Sequence, residues 1–404
     1  MSGRDRWCLS VMMFLHFMVL GSWQPVLSAD MDKLDFTQIG IIYSLLPFAW
    51  IITPFIGGQL GDRYVNTEKI LGVIYIFSAL LLFVMARLTS FDSLLPLMFL
   101  WALIYAPTTA LINSITFHHL PGTEIKFSLV RVFGTLGWIL AGLLLTGIRN
   151  IWPEKQGLPW LGGTDSLWLG GFISFLLGLF CFKLPCTPPI KTGGRPWAFL
   201  SALSMLREPS TAFFIVIFFI MSTAVMFYTV LTAPFLRSIG ILRANIPAVM
   251  TIAQVTEIGV MFGLPLVLKH WGISKTIGLG ILAWLIRYAL FASDPPTWLV
   301  IIVLSLHGLC FVCFNIVSYI YINSIATPDI RASAQAFIVF VFGAGRGFGS
   351  IFTGWITDYY TVSSSNTGMV KYDKVFIVPF ALTVLCLILF FITFFRARKT
   401  NRET

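Results

Sequence analysis

Charged side chains are scarce in this chain, and their scarcity excludes a soluble globular domain. Only 11% of the 404 residues are charged, whereas about 25% is usual in soluble domains. Hydrophobic residues make up 57% of the sequence, and the mean hydropathy is +0.87. The composition therefore predicts a membrane protein.

Cysteine and histidine are also few, with 6 and 5 copies. Nearly all the cysteines lie inside apolar segments, which gives no disulfide framework. Cys310 and Cys313 have no second ligand pair, so helix packing explains them better than zinc or redox chemistry. No G-x-S-x-G, H-E-x-x-H or phosphate-loop pattern occurs. We expect no enzyme activity, no cofactor and no bound metal.

Long apolar segments, in contrast, are abundant. A helix needs about 20 apolar residues to cross the hydrocarbon core, and the chain has twelve such segments. They cover residues 7–27, 40–60, 70–88, 94–117, 132–146, 167–184, 212–235, 248–268, 276–292, 298–322, 332–355 and 375–395. They are continuous rather than alternating, which indicates helices and not barrel strands. The sequence predicts an all-α polytopic membrane protein.

The basic excess, a net charge of +10, follows the predicted loops. With the N-terminus in the cytoplasm, the cytoplasmic side holds 17 Lys and Arg and the opposite side holds 9, Arg287 among them. Cytoplasmic loops carry such an excess, so both termini are predicted to be cytoplasmic, in the cell inner (plasma) membrane. The charge therefore indicates no nucleic-acid partner. The first segment is longer than the apolar region of a cleaved signal peptide, and we retain it as a span.

The longest cytoplasmic break divides the spans six and six. It predicts one six-helix bundle in residues 1–184, a linker at 185–209 and a second bundle in 210–404. The two sides resemble each other weakly: Tyr105 and Asn113 match His307 and Asn315 at a shift of 202. Chance similarity between glycine-rich apolar helices is the alternative. Two such halves form the transporter plan in which a substrate binds between them.

A carboxylate inside the eighth span is the strongest candidate for function. Glu257 follows Gln254 by three residues and Thr251 by six, so the three share one helix face. Charged residues inside a membrane are costly and usually face a cavity; helix–helix hydrogen bonding is the alternative. Burial favours the neutral form of a carboxyl group, so Glu257 could bind and release a proton.

Other polar groups inside the spans are fewer and more ambiguous. Arg131, Thr135 and Trp138 fall on one face of the fifth span, either as a binding surface or as a snorkelling arginine beside a packed tryptophan. Nucleobases stack on aromatic side chains with about 1–3 kcal/mol per base. His16 and His307 are either structural histidines or proton carriers. Arg346 has no predicted partner.

The segment Gly58-Gln-Leu-Gly-Asp62-Arg63 resembles the loop between the second and third helices of the major facilitator superfamily. The resemblance implies two six-helix bundles and a transporter that works by alternating access. It also implies that Asp62 and Arg63 brace neighbouring helix ends and act in gating.

Taken together, the spans resemble the nucleoside:H+ symporter family within that superfamily. The resemblance covers nearly the whole chain and rests on Gly21-Ser-Trp23, Tyr43-Ser-Leu-Leu, Ala110-Leu-Ile-Asn113-Ser, Arg131-Val-Phe-Gly-Thr-Leu-Gly, Ala253-Gln-Val-Thr-Glu257, Trp284-Leu-Ile-Arg-Tyr-Ala-Leu-Phe-Ala and Arg331-Ala-Ser-Ala-Gln335.

The resemblance implies the substrate-binding residues Arg131, Thr135, Trp138, Gln254, Glu257, His307, Phe311 and Thr229. For proton coupling we expect Glu257, with His307 and His16 as helpers. Relatives commonly carry an aspartate where this chain has Val312, which leaves Glu257 as the one carboxylate expected inside the membrane.

The sequence thus predicts a monomeric carrier in the lipid bilayer that imports a nucleoside with a proton. Two alternatives stay open at this point. One is a carrier of another small polar, sugar-like solute, and the other is a membrane sensor that kept the fold but lost transport.

Overall fold

The structure, a computed structural model, describes residues 3–60, 66–119, 124–152, 164–188, 202–327, 330–362 and 369–400. Helices form the architecture, and no β-strand occurs in these ranges. A 3-10 turn spans Ala202–Arg207, and a π-helical segment spans Leu309–Ile316. The helices, numbered along the chain, are α1 (Gly3–Trp23), α2 (Leu27–Asp30), α3 (Phe36–Leu60), α4 (Thr67–Met85), α5 (Phe91–Tyr105), α6 (Thr108–His119), α7 (Glu124–Ile151), α8 (Asp165–Cys181), α9 (Pro209–Ser238), α10 (Ile246–Ala292), α11 (Thr297–Leu304), α12 (Val317–Ile325), α13 (Arg331–Val362) and α14 (Tyr372–Thr400).

Nine helical stretches of the described ranges are long and apolar enough to cross a membrane. One of them, α10, has 47 residues and is interrupted at Gly272, whose φ of +72° glycine adopts without strain. This helix therefore holds two spans. Two shorter apolar stretches, Phe36–Ile52 and Asp165–Cys181, complete a set of twelve. The prediction of an all-α protein with twelve spans is confirmed.

Predicted span ends differ from the observed helix ends where the flanking residues are polar. The predicted fifth span, 132–146, lies within the longer helix α7, which begins at Glu124 and ends at Ile151. Lys126 and Arg149 lower the local hydropathy but continue the helix. A hydropathy window therefore underestimates a helix whose ends leave the apolar core.

The described chain forms two compact units. Unit 1 consists of Met1–Leu34, Ile52–Arg195 and Leu236–Thr251, and unit 2 consists of Asp35–Ile51, Pro196–Phe235 and Ile252–Thr404. The division of the sequence at 185–209 stays a prediction.

Glycines set the packing of α1 on α7 within unit 1. A Cβ atom added to Gly137 would collide with the carbonyl of Phe14 on α1. One added to Gly21 would lie 2.8 Å from Cα of Trp138 on α7. Small residues allow two helix backbones to approach closely. This contact turns the face of α7 that carries Trp138 towards α1.

The start of α3, in unit 2, is fixed from two directions. Asp35 accepts a hydrogen bond from the Gln38 amide at 2.7 Å, and the Gln38 side chain accepts from the Asp35 amide at 3.3 Å, which is a capping box. Asp358 on α13 accepts from the amides of Phe36 and Thr37 at 3.0 and 2.7 Å. These bonds satisfy three of the amide groups that a helix leaves free at its N-terminus.

Two spans are interrupted near the middle. The first break lies between Tyr105 and Thr108 and contains Pro107, which cannot donate a backbone hydrogen bond. The second lies between Leu304 and Leu309 and precedes the π-helical segment. Tyr105 ends the helix before the first break, and His307 lies within the second break. Polar side chains therefore lie where the regular helical hydrogen bonds are interrupted.

Candidate functional site

The predicted binding residues fall into two sets, one in each unit. Arg131, Thr135 and Trp138 belong to α7 in unit 1, and the others belong to α9, α10 and the π-helical segment in unit 2.

In unit 1, the α7 set faces α1. The Arg131 guanidinium lies over the ring of Phe17, with Cζ 3.9 Å from the ring centroid, a cation–π contact. Thr135 is buried, at 8% exposure. Trp138 is half-buried against Gly21. The set offers a guanidinium, a hydroxyl and an indole face, which suit a sugar hydroxyl and a flat base.

His16 is the centre of a fully buried polar cluster in unit 1. Its Nδ1 atom lies 2.8 Å from the Tyr75 hydroxyl and 3.3 Å from the Tyr105 hydroxyl, and the Tyr105 ring stacks on the imidazole at 5.5 Å. Its Nε2 atom lies 3.5 Å from Oγ1 of Thr109, and the Arg131 cation acts on the imidazole electrostatically. Among the described residues, this environment satisfies the hydrogen bonds of a neutral histidine.

His307 lies in the break that precedes the π-helical segment of unit 2, and it is stacked between two aromatic rings. The Tyr228 ring lies 5.1 Å from the imidazole and the Phe311 ring lies 5.8 Å away, both nearly parallel to it. His307 is 9% exposed, and its Nε2 atom has no hydrogen-bond partner among the described residues. Phe311 is half-buried, so part of its ring stays accessible.

Arg287 is misplaced in the sequence-based topology, which counts it with the residues of the non-cytoplasmic side. Arg287 lies on α10, and the structure buries it completely, at 0% exposure. Without Arg287 that side holds one basic residue fewer, so the bias towards the cytoplasm grows. The chain elements that surround Arg287 reach it through tertiary packing, which a residue count cannot detect.

The backbone at Glu257, on α10, passes close to the break in the tenth span. A Cβ atom added to Gly308 would lie 2.5 Å from the carbonyl of Thr256 and 2.9 Å from the amide of Glu257. The Glu257 side chain is half-buried, and its carboxylate acts electrostatically on Tyr228. The glutamate and His307 therefore belong to one polar neighbourhood within unit 2.

Gln254 lies one helical turn before Glu257 and keeps an unused acceptor. Its Oε1 atom is buried and has no hydrogen-bond partner within the described ranges. A buried carbonyl oxygen without a partner costs about 1–3 kcal/mol. Such an atom is typical of a site that is completed by a bound ligand or water.

Thr229 and Val312 complete the unit 2 set. The Thr229 hydroxyl donates to the Val225 carbonyl at 3.2 Å, so its lone pairs are still available as acceptors. Val312, at the position where the family resemblance led us to expect an aspartate, is fully buried at 0% exposure. Its apolar side chain packs within the unit.

Three predicted or notable residues stand apart from these sets. Asp62 and Arg63, expected to act in gating, lie outside the described residues. Arg346 lies on α13 with Cζ 4.3 Å from the Phe342 ring, and its Nε atom is buried without a hydrogen-bond partner in the described chain.

Among the described residues, no group of three or more His, Cys, Asp and Glu could hold a metal ion.

A buried ion cluster escaped the sequence analysis. Arg149 binds Asp165 through two hydrogen bonds of 2.8 and 2.6 Å, and it also binds Asp30. Arg243 donates to Asp30 from two nitrogens, at 3.2 and 2.8 Å. The aspartates stand at helix ends, where a hydropathy profile reads them as loop residues. The described chain therefore holds buried carboxylates at helix ends, besides the half-buried Glu257.

Comparison with known proteins identifies the family. Residues 5–400 match the family model of the nucleoside H+ symporters. YegT of Escherichia coli (strain K12) is 33% identical over 359 residues, which cover 85% of this chain and 81% of the relative. The nucleoside permease NupG of the same organism is 28% identical, covering 87% and 88% of the two chains, and its xanthosine permease is 27% identical, covering 96% and 95%.

The fold agrees with this assignment. A crystal structure of NupG superposes with a TM-score of 0.84 and 24% sequence identity, and the match covers 96% of this chain and 98% of the other. The predicted major facilitator fold is thereby confirmed. The family match and the related permeases confirm the expectation of a transporter rather than an enzyme. The protein belongs to the nucleoside H+ symporter family.

Proposed function

We propose that the protein imports nucleosides together with a proton by alternating access. The placement of Glu257 carries this proposal. A half-buried carboxylate lies inside an apolar span, next to the break that holds His307, in a family of proton symporters. Ionisable groups at membrane depth are expensive, and they commonly mark proton and substrate pathways.

Each of the two sets offers side chains that suit contacts with a nucleoside. Arg131 and Thr135 donate to ribose or base oxygens, and Trp138 offers its indole face for stacking. Gln254 supplies the unused Oε1 acceptor to a ribose hydroxyl or an exocyclic amine. Phe311 offers the accessible part of its ring.

Protonation of Glu257 would couple the two fluxes. A neutral glutamic acid can enter the closed, dry state of a carrier at lower cost than a carboxylate, because burial of an isolated charge is strongly unfavourable. The substrate and the proton would therefore be carried in the same half-cycle. Asp62 and Arg63 remain the proposed gating residues, on the strength of the motif alone.

The test is uptake of radiolabelled uridine and adenosine into proteoliposomes, with and without an inward proton gradient. Wild type should concentrate at least one of these nucleosides when the gradient is applied. Glu257→Gln should retain exchange of labelled for unlabelled nucleoside but lose concentration. Glu208→Gln, at an exposed glutamate outside the spans, is the matched control and should behave as wild type.

Other outcomes favour the two alternatives. Nucleoside binding without flux would indicate a sensor, a reading that the buried Val312 supports. Uptake inhibited by sugars but not by nucleosides would indicate a carrier of another polar solute. Gradient-driven concentration that persists in Glu257→Gln would overturn the coupling role of that residue.

The proposed topology places both termini in the cytoplasm and the protein in the inner membrane, as a monomer. The excess of Lys and Arg in the predicted cytoplasmic loops supports this orientation. A green fluorescent protein fused to the C-terminus should fluoresce, and an alkaline phosphatase fusion at the same position should be inactive.

A further inference from the structure

The tenth span is broken at a place where buried backbone needs a donor. Helix α11 ends at Leu304, and the π-helical segment begins at Leu309. The last carbonyl groups of a helix have no partner inside the helix and carry a partial negative charge. In a membrane interior such groups require a donor from elsewhere in the protein.

Arg287 supplies that donor. One Nη atom of its guanidinium donates to the Leu304 carbonyl at 3.2 Å and, at 3.4 Å, to the Val303 carbonyl, which also accepts from the Leu306 amide at 3.1 Å. The group also lies over two aromatic faces, with Cζ 4.4 Å from the Tyr228 ring centroid and 5.0 Å from the Trp284 ring centroid. Carbonyl dipoles and ring faces thus compensate a buried cation, and no carboxylate binds it in the described chain.

The same guanidinium also determines the state of His307. Its other Nη atom lies 3.3 Å from Nδ1 of His307. Arginine has five donors and no acceptor, and it stays protonated in proteins. The hydrogen bond therefore has one possible direction, from Arg287 to a bare Nδ1. In a neutral imidazole with a bare Nδ1 atom, the proton resides on Nε2.

A second proton on His307 is disfavoured by its surroundings. Arg287 on α10 and Arg346 on α13 both repel an imidazolium, and an Nδ1–H group would point at the Arg287 donor. Tyr228 presents a ring face, and Glu257 on α10 is the one carboxylate that the described chain places in this neighbourhood. Nε2 has no partner in the described residues, so its proton is available to a ligand.

We propose that Arg287 is a positioning residue that holds His307 as the neutral Nε2–H tautomer, and so makes His307 a fixed hydrogen-bond donor to the substrate instead of a carrier of the coupled proton. The donor recognises an acceptor atom, such as a base carbonyl or a ring nitrogen. The identity of the ligand rests on the proposed function, whereas the tautomer does not.

The tautomer is tested by 15N NMR of the full-length protein with 15N-labelled histidine in lipid nanodiscs, between pH 5 and pH 8. The chain has 5 histidines, and the spectrum of His307→Gln identifies the His307 signals. Nδ1 should give the shift of an unprotonated nitrogen and Nε2 that of a protonated one across the whole range. An Nδ1–H tautomer or an imidazolium within this range would overturn the proposal.

The role of Arg287 is tested with two substitutions measured in the same way. Arg287→Gln keeps an amide donor but removes the charge, so His307 should begin to titrate within the range. Arg287→Lys keeps the charge and should leave His307 neutral. If His307 stays neutral in Arg287→Gln, another group controls it and the positioning role is wrong.

Uptake of uridine and adenosine separates a donor from a proton carrier. His307→Gln retains an N–H donor, and it should still concentrate nucleoside under a proton gradient. His307→Leu removes the donor and should raise KM about tenfold while concentration persists, because one hydrogen bond is lost. Loss of concentration in His307→Gln, with exchange retained, would make His307 the proton carrier. If wild type takes up neither nucleoside, the proposed function fails, and the NMR result still decides the tautomer.

Discussion

Arg149 donates from a single guanidinium nitrogen to both carboxylate oxygens of Asp30, at 2.9 and 2.8 Å. The Asp30 side chain is fully buried, and it also accepts hydrogen bonds from Arg243 and from the Ser166 hydroxyl. The Asp30 carboxylate therefore bridges two guanidinium groups in unit 1, and Asp165 adds a second carboxylate to Arg149. The relationship joins residues that are 119 and 213 positions apart in the chain.

We expect Asp30→Asn to destabilise the protein strongly. It leaves Arg149 and Arg243 close together with less negative charge between them, and breaking a buried pair on one side costs about 3–5 kcal/mol. The measurement is thermal unfolding of the purified protein in detergent, followed by tryptophan fluorescence. Asp32→Asn is the matched control, because its pair with Arg237 is 45–46% exposed and should contribute less than about 1 kcal/mol. Equal shifts in the two variants would contradict this account.

The helix cap from Asp358 should be measurable separately. Its carboxylate accepts from two amides at the start of α3, and an asparagine has one acceptor oxygen and no charge. We expect Asp358→Asn to lower the free energy of unfolding by about 1–2 kcal/mol. Asp35→Asn should change it by less than about 0.5 kcal/mol, since asparagine caps as well as aspartate. A larger loss in Asp35→Asn than in Asp358→Asn would show that the distant cap is unimportant.

Gln254 should behave differently from an ordinary buried glutamine. Because its Oε1 atom is unpartnered, Gln254→Leu should leave the free energy of unfolding unchanged or raise it by about 1 kcal/mol. The same change should weaken uridine binding by about 5–30-fold, through the loss of one hydrogen bond. The melting temperature without ligand measures the change in stability, and its shift on adding uridine measures the change in binding.

Gln335 provides the contrast for this experiment. Its amide donates to the Tyr319 carbonyl at 3.0 Å, so Gln335→Leu should destabilise the protein and leave nucleoside affinity unchanged. A Gln254→Leu variant that melts lower than wild type and binds normally would assign Gln254 a structural role.

Gly308→Ala should disrupt the crossing of Glu257 over the tenth span. The added methyl group would overlap the backbone of Thr256 and Glu257, and overpacking of this kind costs about 1–3 kcal/mol. We expect a lower melting temperature and loss of proton-driven uptake. Gly259 lies on the same helix as Glu257 and has open space where a Cβ atom would be added. Gly259→Ala should therefore retain both the melting temperature and proton-driven uptake. Normal uptake by Gly308→Ala would show that the close crossing is not required for transport.

Periodicity and hydropathy were sufficient for much of this protein. Twelve apolar stretches determine twelve helices, since backbone in a membrane must satisfy its own hydrogen bonds. Glu257 and Arg131 could be selected from sequence because a charge within an apolar stretch is rare. The face shared by Gln254 and Glu257 follows from helical spacing alone.

Tertiary structure decided what these residues do. Arg287 reads as a basic residue at the edge of an apolar segment, yet one of its nitrogens donates to the Leu304 carbonyl at the break of another helix. Asp30 and Arg149 read as loop charges until folding brings them together. Helical period and hydropathy depend on neighbours in the chain, and so the sequence determined the spans. Hydrogen-bond direction and charge compensation depend on neighbours in space, and so only the fold assigned the partners.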